Sequence, residues 1–140
     1  MTVPSPATVR QAAVVVLLEG AALVAVAVVL VVRHLAGAKD QPWLSGYGTA
    51  GWFVVMGSGV LAAGWALWTG RRWGRGIAVF AQLLLLPVAW YMAVGSDQWL
   101  YGIPIAAVAL VTLVLLFSPS ALQWLGQASA RADNSGPDTR

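Results

Sequence analysis

The sequence predicts an all-α polytopic membrane protein, four transmembrane helices with both termini on the cytoplasmic side. Three observations lead there: 59% of the 140 residues are hydrophobic against 9% charged, the apolar residues gather into stretches of membrane length, and the arginines fall mostly on one side of those stretches. A soluble fold of this size has too little polar surface to cover such a composition. The net charge of +3 does not point to nucleic acid, because the Lys and Arg residues lie between apolar segments and not along one face. No cysteine is present, so there is no disulfide framework and no thiolate chemistry.

A hydrocarbon core about 30 Å thick takes about 20 helical residues, and the backbone must satisfy itself within it. Four stretches qualify, at residues 11–32, 49–69, 76–94 and 99–117, and none shows the alternation of a barrel strand. Residues 1–10 form a cytoplasmic N-terminus and 11–126 the transmembrane domain. The first span resembles a signal peptide only superficially. Arg10 precedes it and Ala25-Val26-Ala27 looks like a cleavage site, but its apolar run exceeds the usual h-region of about 7–15 residues; it is expected to be retained.

Loop charge sets the direction, since Lys and Arg near span ends stay in the cytoplasm. Arg10, Arg71, Arg72, Arg75, Arg131 and Arg140 fall on one side, Arg33 and Lys39 on the other. The short second loop, Gly70-Arg71-Arg72-Trp73-Gly74-Arg75-Gly76, holds three arginines and no acid. It reads as a topological stop or as a site for anionic headgroups or an acidic partner. Trp43, Tyr47, Trp90, Tyr91, Trp99 and Tyr101 would mark the outer boundary, and Trp68, Trp73 and Trp124 the inner one. Ser118-Pro119 looks like a helix cap followed by proline. Residues 118–126 are read as a short interfacial segment, and 127–140 as a disordered cytoplasmic tail with too little apolar mass to order itself. Asp40-Gln41-Pro42-Trp43-Leu44-Ser45-Gly46 and Asp97-Gln98-Trp99-Leu100-Tyr101-Gly102 both precede an inward-running span; duplication and coincidence at an aromatic belt both account for this.

Glu19 is the ionisable residue set well inside a span, about 13 Å from Arg10 at helical rise. Its insertion costs on the order of 3 kcal/mol, which the Val and Leu of the same span offset. A carboxyl at that depth needs a proton or a partner facing the bundle. Counting depth along each span places Gln82, Thr112 and Trp65 near the same level, so Glu19, Gln82, Thr112 and Trp65 form a candidate intramembrane polar cluster. It reads either as a proton or cation site or as polar glue between helices, worth about 1 kcal/mol per bond. Pro87 frees the carbonyl of Leu83 in mid-span, as a hinge or a static kink. Pro104 sits in a first turn, where it costs little. Small residues at four-residue spacing, Ala21 and Ala25, Gly59 and Ala63, are expected to pack the first two helices together or to form a homodimer face.

His34, the single histidine, reads as a solvated boundary residue, and no metal site or cofactor is expected. No phosphate loop, paired carboxylates or nucleophile set occurs, so an enzyme is not expected.

The stretches Thr69-Gly70-Arg71-Arg72-Trp73-Gly74-Arg75-Gly76, Gln82-Leu83-Leu84-Leu85-Leu86-Pro87-Val88-Ala89-Trp90 and Leu116-Phe117-Ser118-Pro119-Ser120-Ala121 resemble those of small four-span integral membrane proteins of actinobacteria, over most of residues 10–125. That resemblance implies a bacterial plasma membrane and no particular activity. The layout is also similar to that of small multidrug resistance transporters, which have four spans and a glutamate in the first. It departs from them in its strong charge bias and in a fourth span whose glycine is Gly102 alone. Two functions follow. One is an accessory or scaffold subunit whose partners are the lipid bilayer and another membrane protein or a second copy; the other is a small proton-coupled transporter using Glu19.

Overall fold

The computed structural model describes residues 4–39 and 46–136, and these residues form helices and turns with no strand. The first four helices are α1 (Ala7–Leu35), α2 (Gly46–Trp68), α3 (Trp73–Trp90, extended by a π-helical turn Tyr91–Gly95) and α4 (Trp99–Leu116). All four are long and apolar enough to cross a membrane. A further helix, α5 (Pro119–Asn134), follows. Asp40 to Ser45, the first half of the candidate duplication, lie outside the described residues.

Each connection has a local cause. The α2–α3 turn closes through Gly70 at a positive φ of 78°, a conformation that glycine adopts without a Cβ penalty. At the opposite end, Ser96 N–H donates to Tyr91 O at 3.0 Å and Gln98 N–H to Met92 O at 2.9 Å. These wide bonds take up the backbone that Pro87 and the π-turn leave out of step with an α-helix. The α1–α2 connection brings His34 against Tyr47, with ring centroids 4.3 Å apart. His34 is half-buried and packs edge-on against that ring.

The four helices stand in a ring. α1 packs on α2 and α4, and α3 on α2 and α4, so α1 and α3 face each other across a diagonal. α1 and α2 make the most intimate pair. A Cβ on Gly20 would stand 2.8 Å from the backbone nitrogen of Leu61, and one on Gly64 would stand 3.0 Å from that of Leu17. As the residue number climbs on one helix it falls on the other, which is an antiparallel seam. Small residues do bring these helices together: Ala63, of the expected set, is buried in one cluster with α1 residues, and the close approaches are at Gly20, Gly57 and Gly64. Ala21, Ala25 and Gly59 lie on outward faces, because the sequence spacing fits either of two adjacent stripes.

The larger buried side chains gather at the end that holds Arg10, Arg72 and Arg75, called here the arginine end. Val9, Ala12, Ala13 and Val16 of α1, Ala63 and Leu67 of α2, Ala78 of α3, Leu116 of α4, and Ala121 and Trp124 of α5 form one cluster there. Towards the other end the buried residues are small: Ala27, Ala50 and Gly57 on α1 and α2, and Ala89, Gly102 and Ala109 on α3 and α4.

α5 runs well beyond the expected 118–126 segment, and residues 127–134, read from sequence as part of a disordered tail, are helical. Ser118 caps it, accepting the Ala121 N–H at 3.4 Å. Gln127, Ala128, Ala130, Arg131 and Ala132 are good helix formers, and Arg72 Nη1 donates to Ser129 Oγ at 3.1 Å. Counting apolar mass alone overlooks both effects. Residues 137–140 of that tail lie outside the described residues. The start of α5 is tied to the first turn of α1: Thr8 Oγ1 lies 2.8 Å from Ser120 Oγ, and Ser118 Oγ donates to Thr8 Oγ1 at 3.2 Å.

Candidate functional site

Glu19 lies near the middle of α1 and Gln82 near the middle of α3, and the two meet across the diagonal of the ring. Gln82 is fully buried, at 0% exposure, and its Nε2 donates to Glu19 Oε2 at 2.5 Å. Only long side chains can make this link, because the backbones of α1 and α3 are kept apart by α2 and α4. One oxygen of each partner, Glu19 Oε1 and Gln82 Oε1, is buried with no hydrogen-bond partner.

The other two members of the sequence-derived cluster do not join them. Thr112 is buried at 0% exposure, but its hydroxyl donates to Val108 O of its own helix at 2.8 Å, as threonine in a helix often does. Trp65 is 64% exposed and faces outward, while its neighbours Gly64 and Ala66 are buried against the other helices. Depth along a helix was legible from sequence, but rotation about its axis was not.

Glu19 also lines a cavity of about 640 Å³ that takes residues from all four spanning helices. It extends from Glu19, Val60, Ala81 and Val108 towards Trp52, Val88 and Pro104, away from the arginine end. Among the described residues, Glu19 is the one ionisable residue in its wall. The position follows from the packing: the large side chains fill the arginine end, and the small ones at the other end seal the seams within each helix pair. On α3 the wall is Ala81, Leu84, Leu85 and Val88, an i, i+3, i+4, i+7 stripe. Sequence reasoning missed this wall because every face of such a helix is apolar, so periodicity gives no contrast.

The basic loop forms a different feature. Arg75 Nε donates to Leu116 O at 3.1 Å, and its guanidinium carbon lies 4.7 Å from the centroid of the Phe117 ring. One guanidinium nitrogen, Nη2, is buried without a partner. Arg72 reaches α5 as described, Arg71 is exposed, and Arg10 stacks over Trp68 at 4.6 Å. These contacts join the helix ends at the arginine end to one another. Among the described residues no group of three His, Cys, Asp or Glu side chains comes together to hold a metal ion.

Comparison with protein-family models, with curated proteins and with solved structures gives no match. The four-span membrane character therefore rests on the helices themselves.

Proposed function

We propose that this integral membrane protein binds a small, largely apolar molecule in the cavity beside Glu19, within a bacterial plasma membrane and with both termini cytoplasmic. The observation that carries the reading is the cavity itself: about 640 Å³, lined from four helices, with one ionisable side chain among the described residues of its wall. Ligand sites commonly have this size and this pattern of apolar walls with few polar groups. The arginine bias supports the orientation, and the resemblance to small four-span proteins of actinobacteria supports the membrane.

The accessory-subunit reading has for its support the apolar outer faces of the helices. Every spanning bundle offers such faces to lipid, so they do not single out a partner. The transporter reading gains more, because Glu19 belongs to the cavity. Proton-coupled transport is the form of the proposal in which Glu19 gives up or takes a proton as ligand passes.

The test is a cavity-filling variant. Ala22 lines the cavity, and Ala22→Trp puts an indole where ligand would sit. In purified protein, a panel of small aromatic molecules that includes 2-phenylethanol should show saturable binding to the wild type, and Ala22→Trp should weaken it at least about tenfold. Absence of saturable binding to the wild type by every member of the panel would overturn the proposal.

A further inference from the structure

We infer that Arg71 and Arg72, in the turn between α2 and α3, hold the phosphate of one anionic phospholipid against the arginine end of the bundle. The site is separate from the cavity beside Glu19, which extends the other way.

Arginines that look alike in sequence are put to two uses. Arg75 is committed to the protein through the Leu116 carbonyl oxygen and the Phe117 ring, and Arg10 lies over Trp68. Arg71 and Arg72 are exposed. Among the described residues the Arg71 side chain has no hydrogen-bond partner, and Arg72 has a neutral one, the Ser129 hydroxyl. A guanidinium keeps its proton at any ordinary pH, so both positive charges persist. The described acids do little to answer them: Glu19 is in mid-span, Asp97 is at the far end, and Asp133, near the end of α5, is exposed. The turn that carries the pair is fixed, since Gly70 N–H donates to Leu67 O at 3.1 Å and Arg71 N–H to Ala66 O at 2.7 Å, a Schellman closure of α2. α3 then opens with no side-chain cap and no acid in its first turn, which adds its own positive end to the field.

The surroundings make the anion a lipid. Trp68 and Trp73 bracket the pair and are exposed, as indoles are at the level of headgroups. Trp73, Ile77 and Phe80 are exposed at i, i+4 and i+7 along α3, one apolar stripe running from the pair into the hydrocarbon. Beside them Gly76 is exposed, with open space where a Cβ would stand. An acyl chain can lie along that stripe while guanidinium forks meet the phosphate oxygens. A free phosphate or an acidic peptide would use the arginines and leave the stripe unused.

The experiment counts lipids retained by the purified full chain in neutral detergent, by native mass spectrometry, offering phosphatidylglycerol and phosphatidylcholine of the same acyl chains. The wild type should retain one phosphatidylglycerol at least about tenfold more tightly than phosphatidylcholine. Arg71→Gln and Arg72→Gln should each weaken that retention about fivefold, the share of one arginine at a headgroup, and leave phosphatidylcholine unchanged. Arg131→Gln removes the same charge from a side chain about 200° round α5 from Ser129, on the face turned away from Arg72, and should leave retention as it is. Equal retention of the two lipids by the wild type overturns the inference. A loss in Arg131→Gln as large as in Arg71→Gln also overturns it, because the attraction is then diffuse and not a site. Displacement of the lipid by excess inorganic phosphate overturns the lipid assignment in favour of a soluble anion. Melting temperatures in phosphatidylcholine separate lost binding from lost folding, and Arg71→Gln, which removes no hydrogen bond of the fold, keeps the test decisive if Arg72→Gln loosens α5.

Discussion

Arg75 at the start of α3 donates through Nε to the carbonyl oxygen of Leu116 at the end of α4, 3.1 Å away. The last carbonyls of a helix lack partners within it and carry partial negative charge, so a guanidinium there answers both needs. Arg75→Lys keeps the positive charge that sets topology but loses the planar fork that bonds Leu116 and lies over Phe117. Unfolding in detergent should show a loss of about 1–2 kcal/mol. Stability equal to wild type would mean that the contact contributes nothing.

The Glu19–Gln82 pair makes a prediction about coupling. Gln82→Leu strips Glu19 of its donor, and Glu19→Leu strips Gln82 of its acceptor, so each alone should cost about 1–3 kcal/mol. The double replacement removes both polar groups and should cost less than the two single changes together. A double-mutant cycle on unfolding free energies reads the coupling directly, and simple additivity would show that the hydrogen bond does not hold the diagonal together.

The α1–α2 seam separates glycines that are needed from one that is not. Gly20→Ala would drive a methyl against the backbone of Leu61 at 2.8 Å, so the helices must part at a cost of about 1–3 kcal/mol. Gly59 has nothing within 4 Å of its added Cβ, so Gly59→Ala should be neutral or slightly stabilising. Melting temperatures of the two variants should diverge, and the reverse order would contradict the seam.

Orientation is testable in whole cells because the chain has no cysteine. Ala38 and Gln127 are exposed near opposite ends of the bundle. With both termini cytoplasmic, Ala38→Cys should react with an impermeant maleimide from outside, and Gln127→Cys only after lysis. The opposite pattern would reverse the orientation.

Much of the fold was legible because a membrane leaves few choices. Each of the four spans follows from the length of its apolar run; α1 overruns the expected 11–32 at both ends, and α2 starts before the expected 49 and stops just short of 69. The Glu19–Gln82 contact was legible as a matter of depth, since both side chains are polar in otherwise apolar surroundings. Which side of α2 faces inward was not, because a leucine facing lipid and a leucine facing another helix have nearly the same environment. That is why Trp65 and Gly59 were placed one stripe away from Gly64 and Gly57. The length of α5 was missed for a different reason: its hold on the bundle comes from Ala121, Trp124 and the Arg72–Ser129 bond, which hydropathy does not register.

The tie between Thr8 and the serines at the head of α5 has a consequence for biosynthesis. α1 leaves the ribosome before the other spans, yet Val9, Ala12, Ala13 and Val16 share their cluster with Ala121 and Trp124, and Thr8 is bonded to Ser118 and Ser120. The first turns of α1 can therefore meet Ala63 and Leu67 of α2 early, but the α5 side of their cluster is added only after the fourth span. Nascent chains arrested before residue 118 lack Ala121, Trp124 and the serines that hold Thr8, so that end of α1 is only partly covered. A reporter fused at such a truncation point can report the sidedness of a span correctly while sitting on a bundle that has not yet closed.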